Sequence, residues 1–177
     1  MFIDQANSVW SVGHNKQGAC GVGSFDKVST FTPVQGEIAA KALSCGDCFS
    51  LVLGIEGELY SCGHADIHGH KSKDHLNKLK KLNFEGKSIF DMHAGFTHAL
   101  AVTSEGETYS WGDGTFLQLG HGKKTPEKEP KMIKGLEGVK VVQVSCTRGE
   151  KNSHSMAVEQ GGEVYTWGAG YKGKLGH

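Results

Sequence analysis

The segment Thr108–Gly122 reads TYSWGDGTFLQLGHG and determines how the rest of the chain is interpreted. It opens with a run of β-strand type, Thr108–Trp111, which Gly112 ends. A glycine-rich loop then closes on Leu119–Gly122. The same pattern recurs in three further segments: 9–23 (VWSVGHNKQGACGVG), 59–70 (LYSCGHADIHGH) and 164–177 (VYTWGAGYKGKLGH). The architecture is therefore predicted to be a four-fold internal repeat.

The repeats recur at a nearly constant period. The glycine that ends each signature strand stands at positions 13, 63, 112 and 168, so the spacings are 50, 49 and 56 residues. Periods of this length are typical of β-propeller blades, in which each repeat is a small antiparallel sheet that stacks on its neighbours.

Each period predicts about four short strands joined by tight turns. The signature strand closes the period, and glycines such as Gly57 and Gly106 supply the hairpin turn before it. No segment has sustained helical periodicity, and the best helical candidate, His75–Leu82, is expected to form one or two turns of a loop at most. The chain is therefore predicted to be all-β. The other strands are an outer one with proline (31–34, 129–133), a second (89–95, 141–146) and a third with small apolar residues (49–53, 98–102, 154–158).

Composition restricts the class of protein. The 177 residues carry 19 basic and 19 acidic side chains, so the formal net charge is zero, which argues against general attraction to nucleic acid or membranes. The longest apolar run, Phe49–Ile55, is too short to cross a bilayer, and the first residues lack the pattern of a secretory signal. Five cysteines without framework spacing fit reduced thiols in an intracellular protein, cytoplasmic or nuclear.

The repeated residues resemble the regulator-of-chromosome-condensation (RCC1) repeat family. The resemblance rests on Tyr109–Gly112 with Leu119–Gly122, on Tyr165–Gly168 with Leu175–His177, and on Ala94–Leu100. It implies a seven-bladed β-propeller, of which this chain supplies about three to four four-stranded blades. We therefore expect residues 1–177 to form a single partial propeller: a fragment of a longer one, a truncated form, or a half-ring that pairs with the missing half.

Departures from the repeat are the best candidates for specific contacts. Cys62 stands where two other copies have tryptophan, and Leu-Gly-His-Gly is missing after it. Phe49 takes the place that histidine has in two other copies. The turn at 147–153 is four residues longer than its counterpart at 95–97, and we expect it to be a partner-specific loop. The candidate partner-binding residues are Arg148, Glu150, Lys151, Asn152, His64, Asp66 and His68.

Two clusters could carry chemistry. Cys45 and Cys48 form a C-x-x-C pair, which suits a redox thiol pair or half of a zinc site, or a small buried residue at a strand end, since the helix of a redox motif and a second C-x-x-C are absent. His64, His68 and His70, with His75, Asp66 and Asp74 nearby, are weak candidates for a Zn²⁺ or Ni²⁺ site, and surface histidines also occur without any role. No catalytic or cofactor motif is identified.

The expected function follows from the propeller fold, which presents loops on one face of a rigid disc. The favoured interpretation is a protein–protein interaction module, part of a larger regulatory or signalling scaffold, without covalent catalysis. The alternative, which the resemblance implies, is a portion of a guanine-nucleotide exchange factor for a Ran-like small GTPase. The segments after the signature glycines are similar in length, so no insertion stands out as a wedge against a nucleotide site.

Overall fold

The computed structural model describes residues 1–149 and 152–177, and within these ranges it contains fourteen β-strands and two short 3-10 turns but no α-helix. The all-β prediction is confirmed. No helix among the described residues is long and apolar enough to cross a membrane. The strands are β1 (Phe2–Ile3), β2 (Val9–Gly13), β3 (Val28–Pro33), β4 (Ala40–Cys45), β5 (Phe49–Gly54), β6 (Leu59–Gly63), β7 (Leu76–Lys81), β8 (Ile89–Ala94), β9 (His98–Thr103), β10 (Thr108–Gly112), β11 (Glu127–Met132), β12 (Val141–Cys146), β13 (His154–Glu159) and β14 (Val164–Gly168).

These strands form four antiparallel sheets, here called blades 1 to 4. Blades 2 and 3 have the complete orders β4-β5-β6-β7 and β8-β9-β10-β11, whereas blade 1 is β1-β2-β3 and blade 4 is β12-β13-β14. In blades 2 and 3 the signature strand is the third strand of the sheet, not the last. The strand after each of the first three glycine-rich loops turns back and pairs with its own signature strand, so the sequence period is offset by one strand from the structural blade.

The prediction of a short helical loop at His75–Leu82 is wrong, because this segment contains the outer strand β7. Tyr60 pairs with Lys81 and Gly63 pairs with Leu76. The leucine spacing favours a helical turn, but the free edge of β6 offers a ladder of backbone partners. Lysines along the outer edge of the strand protect it from pairing with other chains.

Backbone hydrogen bonds connect each blade to the next. The first strand of a blade donates an N–H to the hairpin turn of the preceding blade: Ala40 to Asn7 O, Ile89 to Gly57 O and Val141 to Gly106 O, at 2.9, 2.7 and 3.2 Å. All three acceptor residues have positive φ. Because the contact repeats at every junction, the blades share one relative arrangement.

A buried indole closes the junction between blades 2 and 3. Trp111 is 0% exposed, and its Nε1–H donates to Ile67 O at 3.2 Å. A Cβ atom on Gly69 would lie 2.8 Å from that Nε1 and 2.8 Å from a Leu82 methyl, so only glycine fits the loop beneath the ring. Trp167 repeats the contact one blade later, with Nε1 2.8 Å from Gln118 O.

Cys62 occupies the tryptophan position at the junction between blades 1 and 2. Its thiol is fully buried and donates to Ala19 O at 3.3 Å, the carbonyl equivalent to those of Ile67 and Gln118. Cys62 Sγ and Leu79 Cγ both approach Gly21, at 3.4 and 3.7 Å from the position that a Cβ atom on this glycine would take. Burial raises the pKa of the Cys62 thiol, so this side chain is a core residue.

Phe49, which stands where two other copies have histidine, is matched by a change in the blade that it faces, blade 3. In blade 3, His98 Nε2 lies 3.0 Å from Ser155 Oγ, and that hydroxyl donates to Gln118 O at 2.7 Å. Phe49 takes the position of His98, since each pairs with a signature glycine, and it packs in a core cluster with Ala99, the counterpart of Ser155. A polar pair in one junction thus corresponds to an apolar pair in the other.

This correspondence predicts that the effects of Phe49→His and Ala99→Ser on the free energy of unfolding are coupled, with the double variant more stable than the sum of the two single effects implies. Phe49→His alone should lower the free energy of unfolding by about 3 kcal/mol, because it removes a buried aromatic ring. In the double variant the imidazole regains a hydroxyl partner, so we expect a coupling energy of about 1 kcal/mol. Urea unfolding of the four proteins measures it.

Ala101→Ser, on the same face of the same strand, is the control and should show no coupling to Phe49→His. Strictly additive effects in both cycles would refute the pairing.

Candidate functional site

The antiparallel order of every blade places its loops on two opposite faces. The signature face comprises the turns 46–48, 95–97 and 147–153 (described to 149 and from 152) and the loops 14–27, 64–75, 113–126 and 169–177. The hairpin face comprises the turns 4–8, 55–58, 104–107 and 159–163 and the linkers 34–39, 82–88 and 133–140. Of the partner-binding residues predicted from the sequence, the five that the structure describes belong to the signature face: His64, Asp66, His68, Arg148 and Asn152.

The second signature loop keeps the repeat geometry despite its changed sequence. Ser61 lies against His68 O and 3.0 Å from His70 Nε2, as Ser110 lies 2.7 Å from Leu119 O and 3.0 Å from His121 Nε2. His68-Gly69-His70 is therefore the structural counterpart of Leu119-Gly120-His121, although the sequence Leu-Gly-His-Gly itself is missing here. A loop two residues shorter after the signature glycine obscured the register.

The histidines of this loop serve its folding. His68 is fully buried, with Nδ1 accepting from the His70 N–H at 3.0 Å and Nε2 3.1 Å from Asp74 O. Both of its ring nitrogens are engaged, so it cannot contact a partner directly. Burial lowers the pKa of His70 to about 4. No group of three His, Cys, Asp or Glu side chains suited to a metal occurs within residues 1–149 and 152–177.

The C-x-x-C pair lies where β4 turns into β5. Cys45 ends β4 at the position of Ala94 and Cys146, and both Cys45 and Cys48 are half-buried free thiols. Burial, followed by the Asp47 charge, raises the pKa of Cys48 to about 11. Redox-active thiols have lowered pKa values, so this environment favours a structural role.

His64 and Asp66 line a cleft between blades 2 and 3 on the signature face. The cleft encloses about 460 Å³ and has an apolar wall that includes Ile67 and Pro126. Asp66 bridges the two blades through an ion pair with Lys128 at 2.9 Å, and that contact lowers the pKa of its carboxyl group. His64 stacks obliquely on His75, with ring centroids 4.6 Å apart.

The long turn before β13 places its candidate residues at the other side of the same face. Arg148 is exposed, and Asn152 is half-buried with φ of 58°. Glu150 and Lys151 lie outside the described residues. Phe96 N–H donates to Thr147 O at 3.0 Å, which ties the start of this turn to blade 3. The structure thus puts His64 and Asp66 of blade 2 on the same face as Arg148 and Asn152 of blade 4, with blade 3 between them.

The two faces carry opposite charge, which the zero net charge conceals. Among the described residues of the signature face, nine basic side chains stand against five acidic ones, and none of the nine is ion-paired with a described carboxylate. The basic residues are Lys16, Lys27, Lys71, Lys73, Lys123, Lys124, Arg148, Lys172 and Lys174, and the acidic ones are Asp26, Asp47, Asp66, Asp74 and Asp113.

On the hairpin face the balance is reversed, with ten acidic residues against three lysines. Only Glu58 and Glu107 are ion-paired there, at 4.0 and 2.6 Å, among the residues described. The acidic residues are Asp4, Glu37, Glu56, Glu58, Glu85, Glu105, Glu107, Glu137, Glu159 and Glu163, and the basic ones are Lys87, Lys134 and Lys140.

Comparison with known proteins agrees with this blade geometry. Residues 105–158 match the family described as regulator of chromosome condensation (RCC1) repeat. The chain belongs to the RCC1-like repeat family. It is 34% identical to the E3 ubiquitin-protein ligase HERC2 of Mus musculus over 95% of the chain, 33% identical to the ultraviolet-B receptor UVR8 of Arabidopsis thaliana over 99%, and 28% identical to the secretion-regulating guanine nucleotide exchange factor of Bos taurus over 98%.

Structural similarity extends over nearly the whole chain. The crystal structure of human WBSCR16 superposes with a TM-score of 0.82 at 24% identity, covering 99% of this chain and 46% of that one. The three relatives are matched over 4%, 40% and 39% of their own lengths, so this RCC1-like chain spans less than half of each. The predicted partial β-propeller is confirmed.

The buried histidines predict a loss of stability in acid. Burial lowers the pKa of His98 to about 4 from an unfolded value of about 6.5. The unfolded chain therefore binds the proton first, so stability is full above pH 6.5 and falls as the pH drops towards 4. We expect His98 alone to remove about 3 kcal/mol between pH 7 and pH 4.

Urea unfolding at pH 7, 5.5 and 4.5 measures this dependence. His98→Phe, which copies the residue at the same position of blade 2, should show a shallower pH slope than the unmodified chain. Equal slopes, or greater stability at pH 4.5 than at pH 7, would contradict the assignment.

Proposed function

We propose that this chain is a protein–protein interaction module, part of a β-propeller scaffold within a larger regulatory or signalling protein, and that its signature face binds the partner. The observation that carries the proposal is the charge separation between the faces, most of it unpaired. The proposed setting is intracellular, cytoplasmic or nuclear, where five free cysteines stay reduced.

The basic residues of the signature face have no role in holding the blades together. The junctions are made by backbone hydrogen bonds, Trp111, Cys62 and the apolar clusters. The ion pairs Asp66–Lys128 and Lys87–Glu107 add to them, and neither uses a basic residue of the signature face. Like charges gathered on one face repel one another and lower stability slightly, but they attract and orient a partner of opposite charge. A basic signature face beside the apolar cleft of His64 and Asp66 therefore supports binding to an acidic protein surface.

We propose further that the four blades belong to a longer propeller, in one chain or assembled from two. Leu100 and Val102 are fully buried against blade 4, whereas their counterparts Met156 and Val158 are half-exposed. The face of blade 4 that points away from blade 3 therefore exposes apolar positions that, in blades 2 and 3, are covered by the following blade.

The second candidate is a portion of a guanine-nucleotide exchange factor for a Ran-like small GTPase, favoured by the 28% identity to the secretion-regulating exchange factor. Against it, the hairpin turns at Gly57, Gly106 and Gly162 are all tight, and none of the described turns on that face forms an extended wedge.

Binding through the signature face predicts that the variant Lys71→Ala/Lys123→Ala/Arg148→Ala loses proteins that the unmodified chain retains from a cell extract. The expected reduction is about tenfold or more, because three attractive charges are removed. Retention measured by quantitative mass spectrometry checks it. The matched control, Lys78→Ala/Lys80→Ala/Lys131→Ala on the outer strands, removes the same charge and should retain the same proteins.

Equal loss in both variants, or in neither, would refute the signature-face site. A parallel assay with fluorescent GDP on a Ran-like GTPase should show unchanged nucleotide release, and acceleration would establish the second candidate instead.

A further inference from the structure

A small cavity lies under the hairpin turn of each of the first three blades. In every case it is enclosed between that turn and the linker to the next blade, with volumes of about 360, 260 and 220 Å³ in blades 1, 2 and 3. The residue at the start of the signature strand lines it each time: Val9, Leu59 and Thr108. The recurrence makes the cavity a feature of the fold, and differences in its lining are specific to each blade.

The blade 3 cavity is the unusual one. Thr108 replaces an aliphatic residue, and it is 2% exposed with its Oγ1 buried and without a hydrogen-bond partner among the described residues. A buried hydroxyl without a partner is unfavourable, whereas valine would fit the same space without that cost. The hydroxyl is therefore retained at the expense of stability.

The same cavity is also the most acidic of the three. Glu105, Glu107 and Glu137 line it against the single cation Lys140. Glu107 is held by Lys87 of the blade 2 linker at 2.6 Å, which leaves Glu105 and Glu137 exposed and without ion pairs in the described part of the chain. The blade 2 cavity balances two glutamates with two lysines, and the blade 1 cavity has only Glu37.

We propose that the blade 3 cavity binds an arginine side chain from a basic segment of a partner protein. A guanidinium group offers several N–H donors in a rigid plane, so it can bond a hydroxyl and carboxylates at once. Thr108 lines the cavity, and a χ1 rotation of about 120° would carry its buried hydroxyl to the position of the methyl group, with the methyl group moving to the position of the Cβ hydrogen. The glutamates at the rim supply charge-assisted acceptors.

This inference goes beyond the proposed signature-face function, because it assigns the opposite face and the opposite charge. The acidic hairpin face as a whole would attract a basic segment, and the blade 3 cavity would fix its position. The two sites share no residue, so each can fail without the other.

Titration of the ¹⁵N-labelled chain with the peptide acetyl-Gly-Ser-Arg-Ser-Gly-amide, followed by NMR, tests the site. We expect amide shift changes centred on Gly106, Thr108 and Glu137. The same peptide with citrulline in place of arginine keeps the shape but removes the charge, and it should cause none of these changes.

Thr108→Val should weaken arginine-peptide binding about fivefold, the effect of one hydrogen bond, while raising the melting temperature. Glu105→Gln/Glu137→Gln should weaken it about tenfold. Glu37→Gln, in the equivalent blade 1 cavity, is the control and should leave binding unchanged. Equal responses to the arginine and citrulline peptides, shifts that do not include the blade 3 cavity, or equal weakening by Glu37→Gln would overturn the proposal.

Discussion

One hydrogen bond positions blade 3 against blade 2: the indole N–H of Trp111 donates to the carbonyl of Ile67 in the loop of the preceding blade. The bond requires the loop backbone to pass directly beneath the ring, which only Gly69 allows. Once the ring is seated, the signature strand, the loop and the next sheet have fixed positions. The glycine-rich loop, which at first resembles a ligand-binding loop, is therefore the contact surface between blades.

The junctions tolerate change only when both sides change. Cys62 keeps a donor for Ala19 O although the ring is lost, and Leu79 approaches the same glycine, Gly21. Phe49 meets Ala99 where His98 meets Ser155. Each substitution retains either the hydrogen bond or the packed volume of its junction, because a buried donor without an acceptor costs more than the bond contributes. These compensations explain why a sequence with four unequal repeats forms four similar sheets.

The fold could be predicted from sequence because its main determinants are local and repeated: strand-type runs, positive-φ glycines and the spacing between them. The prediction failed where context outweighs local pattern. The leucine spacing at 75–82 suggested a helical turn, but the open edge of β6 makes it a strand. A two-residue deletion hid the equivalence of His68–His70 to Leu119–His121, which only the shared Ser61 and Ser110 contacts revealed.

The candidate site was predictable only in part. Sequence departures identified His64, Asp66 and Arg148, and the structure places them on one face, but it buries His68. The separation of charge between the faces could not be predicted from a net charge of zero. It depends on which of the two faces each loop lies on, and that is set by the end of the strand to which the loop is connected. The unpartnered Thr108 hydroxyl also looked ordinary in a β-strand run.

Exchange of the three indole Nε1–H protons with solvent, followed by NMR in D₂O, tests the central role of the tryptophan contact most directly. Trp111 should exchange slowest, through opening of the blade 2–blade 3 junction, and the half-buried Trp167 should be intermediate. Trp10, which bonds to Asp4 at the open side of blade 1, should exchange fastest. If Trp111 exchanges as fast as Trp10, the indole bond does not hold the blades together and the account is wrong.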